Sequence, residues 1–408
     1  MKEITRCGVC GNPFLSLVMD LGRQPLPDDL VPFGDNRVCT RYPIEIMFCD
    51  VCKTAQQRWE LPQKQLFFPE YHYRGGNTKD VLMGMEQLVD AIELQQPVQG
   101  LKVLDVGCND GSLLDVFKRR GAITFGIEPT NAAQEAVAKG HCVSQAFLDY
   151  VEASRYVGAH GSPDIITFTN VFAHIENFSA LLACLGYIRG LHTRIVIENH
   201  YLGSVLDKKQ FDTFYHEHLR TYSLTSFFHI AKNMDMHVEE VSFPKRYGGN
   251  IRVTLEAGRG AWTGHDVHRE ADFKDRMLEL ARQVNQWRMH KRLELLEEIV
   301  HDAGGEAPPI SVPIPAAAFP TRASLLFGLL GFDERHIEAV YESGKQKPGH
   351  YAPGTRIPIR HDSEFDWTGN RGPVVNMAWH IADEVEANWR KRGYSGKMIQ
   401  IIDEKDFT

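Results

Sequence analysis

The sequence predicts an α/β protein built around a doubly wound nucleotide-binding core, and three observations predict it. Short β-rich runs alternate with amphipathic helical stretches from residue 101 to residue 256. The first run, 101–106, leads into a glycine turn, Gly107-Cys108-Asn109-Asp110-Gly111, and then a helix over 112–120. The next run, 123–128, ends in an acid, Glu128. Glycines at the first strand tip let a ligand approach the backbone, and an acid on the neighbouring tip can grip ribose hydroxyls.

Composition sets the outer bounds. A chain of 408 residues holds two or three domains. With 43% hydrophobic and 24% charged residues it reads as an ordinary globular protein. A net charge of -8 argues against general binding to nucleic acid or anionic membranes. No apolar run has transmembrane length, and the N-terminus lacks the apolar core of a signal peptide. A cytoplasmic monomer with a small substrate, and no nucleic-acid or membrane partner, is the expectation.

The N-terminal lobe, 1–75, carries two C-x-x-C pairs, Cys7-Gly-Val-Cys10 and Cys49-Asp-Val-Cys52. In a reducing compartment disulfides are disfavoured. Each pair can deliver two thiolates, and together they complete a tetrahedral zinc site. Four sulfur ligands leave no position open for water, so such a zinc is structural. A redox pair or incidental thiols are the alternative. Next come aromatics and the loop Arg74-Gly75-Gly76-Asn77, which suits a loop crossing a binding site and equally an ordinary surface loop. Helical spacing over 80–95 puts Val81, Leu82, Met85, Leu88, Val89 and Ile92 on one side.

The core is expected over 76–260. A NAD fingerprint, G-x-G-x-x-G, is absent. Asp105, Gly107, Asn109 and Gly111 instead form D-x-G-x-N-x-G, which resembles motif I of class I S-adenosylmethionine-dependent methyltransferases, with Asn109 where a glycine is usual. Strands follow over 164–169 and 194–199, leaving Asn170 and Glu198 at strand ends, where open sheets bind ligands. A helix over 223–234 and strands over 237–243 and 251–256 close the sheet.

Between them lies Asp212-Thr213-Phe214-Tyr215-His216-Glu217-His218-Leu219. Two imidazoles, a carboxylate and a phenol in four consecutive positions supply most of the common proton-transfer groups. A metal pair or a polar turn with hydrogen-bonded histidines is the competing reading. In a helix, residues two apart face different sides, so His216 and His218 could not both face a cleft; a strand could aim both inward.

Residues 261–305 read as a linking helix with Met277, Leu278, Leu280, Val284 and Trp287 as its buried side. A further α/β lobe is expected over 306–408: a strand over 310–314, a helix over 324–330, a basic loop from Lys347 to Arg356, and strand–helix–strand at 374–379, 382–392 and 398–402.

Taken together these residues resemble the S-adenosylmethionine-dependent sugar C-methyltransferases along their whole length. The resemblance rests on the two cysteine pairs, Leu21-Gly-Arg-Gln-Pro-Leu26, Asn109-Asp110-Gly111, Glu128-Pro129, Asn170-Val-Phe-Ala-His174, Tyr215-His-Glu-His218, Gly248-Gly-Asn-Ile-Arg252 and Pro353-Gly-Thr-Arg-Ile-Pro-Ile359. It implies a zinc lobe, a methyltransferase core, a C-terminal α/β lobe, and methylation of carbon 3 of a nucleotide-linked 4-keto-6-deoxysugar. S-adenosylmethionine would be held by Asp105, Gly107, Asn109, Gly111, Glu128 and Asn170. His218 would be the base, His216 structural, and Tyr215 and Glu217 active-site partners. Tyr71 or Tyr73, with Asn199 and Arg252, would face the substrate, while Cys7, Cys10, Cys49 and Cys52 bind zinc. O- or N-methylation of a related nucleotide sugar, and a non-catalytic zinc- and nucleotide-binding protein, are the alternatives. Several positions depart from the family pattern: Arg74-Gly75-Gly76-Asn77 replaces serine-rich sequence, Asn199-His200 replaces an apolar-proline pair, Ala316-Ala-Ala-Phe-Pro-Thr-Arg322 replaces a glycine-rich turn, and His380 replaces an asparagine.

Overall fold

The computed structural model describes residues 1–67, 73–77, 79–258, 260, 267–301, 312–369 and 371–407. The chain forms two compact units. The first comprises Met1–Leu17, Ile46–Asp207 and Glu217–Lys274; the second comprises Val18–Glu45, Lys208–His216 and Asp275–Thr408. The segment between the two cysteine pairs is thus largely shared out to the second unit.

The first unit is organised on a seven-stranded sheet. Its strands are β1 (Lys102–Val106), β2 (Ile123–Ile127), β3 (Cys142–Ser144), β4 (Ile165–Thr169), β5 (Arg194–His200), β6 (Met236–Ser242) and β7 (Asn250–Ala257). Their order is β6-β7-β5-β4-β1-β2-β3, parallel except for β7, which runs antiparallel to both β5 and β6. The order reverses at β1, so a cleft opens beyond the tips of β1 and β4, the switch point where such sheets take ligands. Near-continuous apolar runs make these strands, because a parallel sheet is covered on both faces. On one face Val103, Ile165 and Val196 pack under α1 (Lys79–Gln95) and α2 (Ser112–Arg119). On the other, Leu104, Ile166 and Ile197 pack under α4 (Phe178–Ile188) and α5 (Leu224–Asn233). Helix α3 (Tyr150–His160) has no counterpart in the sequence analysis, and neither do the short helices Ala132–Ala138 and Leu202–Asp207. In α1 the buried stripe is Val81, Gly84, Met85, Leu88, Val89 and Ile92, whereas Leu82 is 39% exposed and leaves the expected face. Gly84 takes its place in the stripe because the Arg246 side chain lies where a Cβ would stand.

The second unit has its own mixed sheet: β8 (Ile314–Ala317), β9 (Ile337–Glu342), β10 (Pro358–His361), β11 (Val374–Asn376) and β12 (Met398–Gln400). The order is β12-β11-β8-β9-β10, extended by His350–Tyr351 and then Val31–Pro32 at the edge. The strand expected over 310–314 lies further along, at Ile314–Ala317; residues 310 and 311 are outside the described residues. Pro315 lies inside this strand, where proline removes a ladder hydrogen bond. It is accommodated where the β8–β9 register shifts between Ile314 and Ala316. Ala318 follows with φ +62, a left-handed backbone that suits the glycine-rich turn expected at this point. The long helix α6 (Phe273–His301) buries Met277, Leu280, Val284 and Trp287, while Leu278 is 46% exposed. In that helix, Trp287 donates its indole N–H to the carbonyl of Ile401 at 3.1 Å. Among the described residues no helix is long and apolar enough to cross a membrane.

Candidate active site and metal centre

The four cysteines meet in the first unit. Cys7 and Cys52 stand 3.3 Å apart at sulfur, Cys10 and Cys49 stand 3.5 Å apart, and all four sulfurs lie within 4.8 Å of one another. A zinc ion bound at about 2.3 Å to each sulfur needs S···S spacings of about 3.8 Å, so the donor set fits. Four thiols this close cannot all ionise without a cation. Hydrogen bonding to Cys49, first among the causes, pushes Cys7 up to about 12, and the same bonding from Cys52 draws Cys49 down. Polar neighbours orient the cluster: Asn12 Nδ2 reaches Cys49 Sγ at 3.5 Å, and the Thr54 hydroxyl lies 3.1 Å from Cys52 Sγ. The hydroxyls of Ser223 and Ser226, which also form the capping box of α5, donate to the Cys52 carbonyl at 3.1 and 3.0 Å. The metal lobe is thereby tied to the helix that follows the histidine block.

The glycine turn stands at the tip of β1. Gly107, Asn109 and Gly111 all have positive φ, so Asn109 adopts the left-handed backbone where glycine is commoner. A Cβ at Gly107 would meet Val171 at 2.4 Å, which leaves glycine as the residue that fits. Glu128 lies just beyond β2 with its carboxylate held on both sides: Oε2 accepts from the Asn109 N–H at 3.0 Å, and Oε1 accepts from the N–H and hydroxyl of Thr130 at 2.9 and 2.6 Å. An oriented carboxylate with lone pairs to spare is a suitable acceptor for vicinal hydroxyls. Asp105 lies deeper, 3% exposed, with Thr167 donating to it at 2.7 Å; burial raises its pKa to about 7. The loop 73–77 seats on this turn. Gly75 and Gly76 donate to the side chains of Asn109 and Asp110, both at 3.0 Å, and Arg74 pairs with Glu135 at 2.6 Å. A Cβ on Gly76 would stand 2.6 Å from Asp110, which explains glycine in this loop. Tyr73 is part of it, 38% exposed; Tyr71 lies outside the described residues.

At the tips of β4 and β5 the polar groups are packed together. Asn170 has φ +53, donates its N–H to the Glu198 carbonyl, and accepts from Asn250 Nδ2 at 3.3 Å. Glu198 is fully buried and accepts from Arg246 Nε at 2.6 Å, Arg252 Nε at 2.8 Å and Asn250 Nδ2 at 3.0 Å. Arg252, expected at the substrate, is therefore 8% exposed and engaged with Glu198. Asn199 is also buried, its Oδ1 accepting from the Ala173 N–H at 3.3 Å.

The histidine block is neither helix nor strand. Phe211–Thr213 forms a single 3-10 turn, and the chain bends from Tyr215 onward. The division between units falls inside it, between His216 and Glu217. In the second unit His216 is 3% exposed and donates from Nε2 to the Tyr42 carbonyl at 3.1 Å; burial holds it down at about 4. Asp212, in the same unit, is fully buried between Arg322 at 3.3 Å and the Trp379 indole N–H at 2.7 Å. Tyr215 lies half-buried. In the first unit Glu217 and His218 are 1% and 7% exposed. The His218 ring has two imidazole neighbours, His174 at 4.9 Å and His200 at 5.2 Å between centroids. His174 Nδ1 lies 2.8 Å from the Glu217 carbonyl, and since a carbonyl only accepts, that nitrogen carries the proton. Burial holds His174 near 4. Each of the three is singled out in the sequence for a separate reason, but they stand at 174, 200 and 218 and only the fold joins them.

Comparison with known proteins agrees with the architecture. A "Putative zinc binding domain" model matches residues 7–67, a "Methyltransferase domain" model residues 81–241, and a "C-methyltransferase C-terminal domain" model residues 269–402. C-methyltransferase NovU of Streptomyces niveus is 23% identical over 397 residues, covering 95% of this chain and 93% of its own. The ubiquinone biosynthesis O-methyltransferase of Thiobacillus denitrificans is 33% identical over 96 residues, 22% of this chain and 41% of its own. Among solved structures, magnesium protoporphyrin IX methyltransferase from Synechocystis with bound S-adenosylmethionine aligns at TM-score 0.34 and 14% identity, over 44% of this chain and 80% of its own. The three models span nearly the whole chain in the order zinc lobe, core, C-terminal domain, and NovU is aligned from end to end. By its domain content the chain is an S-adenosylmethionine-dependent C-methyltransferase, with a zinc-binding domain, a methyltransferase domain and a C-methyltransferase C-terminal domain in that order.

Proposed function

We propose that the enzyme methylates carbon 3 of a nucleotide-linked 4-keto-6-deoxysugar, with His218 as the general base. The observation that carries the reading is a buried imidazole on the unit that holds the glycine turn, enclosed by two further imidazoles. Methylating carbon beside a ketone requires removal of a carbon-bound proton, which methylating a hydroxyl or amine needs far less. Glu128 takes the ribose hydroxyls, and Gly107, Asn109 and Gly111 shape the turn around the nucleoside; Asp105 supports that turn from within the sheet, and Asn170 borders it at the tip of β4. S-adenosylmethionine, when bound, supplies an electrophilic methyl group on a sulfonium. His218 takes the proton on carbon 3 while the electron pair is delocalised into the ketone. Tyr215 donates a hydrogen bond toward the developing oxyanion, and Glu217 orients the sugar. Asn199 and Arg252 shape the substrate side through the groups they hold, and Tyr73, the one of the two candidate tyrosines within the described residues, faces the sugar. The test is incubation with a panel of dTDP-, GDP- and CDP-linked 4-keto sugars, following methyl incorporation and, without cofactor, loss of the carbon-3 proton into deuterated solvent. Methylation at oxygen, or turnover on no keto sugar, would overturn the reading.

A further inference from the structure

Removing a proton from carbon 3 leaves it on His218, which is 7% exposed, and the base must shed it before the next turnover. Its two ring neighbours differ in what they can do about this. His174 has Nδ1–H committed to the Glu217 carbonyl at 2.8 Å, and a ring held near 4 takes a proton poorly at neutral pH. It fixes the Glu217–His218 backbone. His200 is the last residue of β5, half-buried at the strand tip, opposite Asn250 in the antiparallel β5–β7 pair. Its ring centroid lies 5.2 Å from that of His218, tilted by 56°. Two imidazoles hydrogen-bonded nitrogen to nitrogen have centroids about 5 Å apart, since each nitrogen lies about 1.1 Å from its centroid and the bond spans about 2.9 Å. An imidazole half-buried at a strand tip can accept a proton on one ring nitrogen and release one from the other.

We propose that His200 relays the proton between His218 and solvent. The inference rests on the carbon-3 reading above. It assigns a role to a residue that stands where the family pattern has an apolar-proline pair, so it concerns this chain in particular. In the relay the carbon-3 C–H bond breaks and its proton goes to His218, with the pair left on carbon. His218 then passes a proton to His200, which releases one to water, and both imidazoles end neutral. His200 is a positioning and relay residue; it need not touch the sugar.

Exchange of the carbon-3 proton with deuterated solvent, in cofactor-free enzyme holding a keto sugar, depends on this step. Without a relay, the proton on His218 returns to the carbon it left. His200→Val should slow exchange about tenfold or more, while methyl transfer in a single turnover stays within about twofold of wild type and later turnovers lag. His200→Gln, which keeps hydrogen bonding but carries no proton, should behave like the valine variant. Added imidazole should restore exchange in both, which a merely structural role would not do. Wild-type exchange in either variant, restoration by glutamine alone, or loss of exchange and single-turnover transfer together without imidazole rescue would overturn the relay. Wild-type enzyme that exchanges on no keto sugar would remove the carbon-3 reading instead, and the relay with it.

Discussion

The cysteine centre and the histidine cluster are opposite cases of how a site is written in a chain. Each cysteine pair is a local turn, and the two pairs meet with all four sulfurs within 4.8 Å. What is close in sequence stays close in space. Tyr215-His216-Glu217-His218 is contiguous yet divided: its first two residues belong to one unit and its last two to the other. His218 finds its ring neighbours in the 3-10 turn Phe172–His174 that follows β4 and at the end of β5. A metal site needs a fixed polyhedron of like ligands, and a short repeated spacing can specify it. An acid–base site needs unlike environments for similar groups, and burial by the whole fold supplies those. Disruption of the first should therefore cost structure, and disruption of the second should cost rate.

The largest expected effect follows from the metal. Cys49→Ser should abolish zinc binding and unfold the lobe, because a structural zinc contributes on the order of 10 kcal/mol to small metal-organised domains. Metal analysis should find one zinc per chain in wild type and none in the variant, with an early unfolding transition. A variant that keeps its melting temperature after losing the metal would erase the contrast.

His218→Ala should do the reverse. Removing a general base costs about 10²–10⁴-fold in rate. The variant should bind S-adenosylmethionine like wild type by calorimetry and melt within a few degrees of it, while turnover collapses. Equal damage to fold and rate would mean that the ring is a packing element between His174 and His200.

The same difference decides what was legible beforehand. Runs such as Val103-Leu104 and Ile165-Ile166 announce buried parallel strands, and the turn from Gly107 to Gly111 with Glu128 announces the cofactor end, because each is a local pattern with a local cause. The strand at Ile314–Ala317 lies beyond the expected 310–314, since apolar residues and prolines alternate through both stretches and the register shift that accommodates Pro315 has no mark in the sequence. Helix α3 was missed because Tyr150 and Val151, 60% and 75% exposed, blur its apolar stripe. Leu82 and Leu278 fit helical spacing yet face solvent, since spacing alone does not say how wide the buried stripe is. Arg252 reads as a free cation, but antiparallel pairing of β7 with β5 sets it beside Glu198. His174 stands in one of the motifs that carry the resemblance and His200 at a departure from the family pattern, but nothing local says that the two rings meet His218; the fold brings them there.

His216 sharpens the contrast within the histidine block by a smaller, pH-dependent effect. Its pKa is lowered from the ordinary value of 6.5 to about 4 by burial, against a weaker opposing contribution from the Tyr42 carbonyl. The unfolded chain therefore binds the proton more readily. Stability rises with pH between about 4 and 6.5 and is lost as pH falls through that window. The full term is of order 3 kcal/mol. His216→Gln, which can still donate to the Tyr42 carbonyl, should flatten that part of the stability–pH curve in urea titrations. An unchanged slope would show that other groups carry the acid limb.

The smallest expected effect returns to the cysteine centre and asks whether its rigidity also depends on the fold around it. Thr54 is fully buried, with its hydroxyl 3.1 Å from Cys52 Sγ and 2.8 Å from the Ser226 hydroxyl. With the metal bound, Cys52 is a thiolate, and a hydroxyl hydrogen bond favours that charged form. Groups that orient a metal ligand in this way are typically worth about 10–100-fold in affinity. Thr54→Val keeps the shape and removes the hydroxyl. It also leaves Ser226 to its remaining bonds with Ser223 and the Cys52 carbonyl, so the α5 cap should survive. Zinc affinity, read by competition with a chromogenic chelator, should fall about tenfold, near the low end of that range, while methyl transfer by the zinc-loaded enzyme stays at the wild-type rate. Unaltered affinity would mean that the four sulfurs alone define the centre. A fall in methyl transfer at full zinc occupancy would mean that the cysteine lobe acts on the active site through α5, and that the two sites are not separable after all.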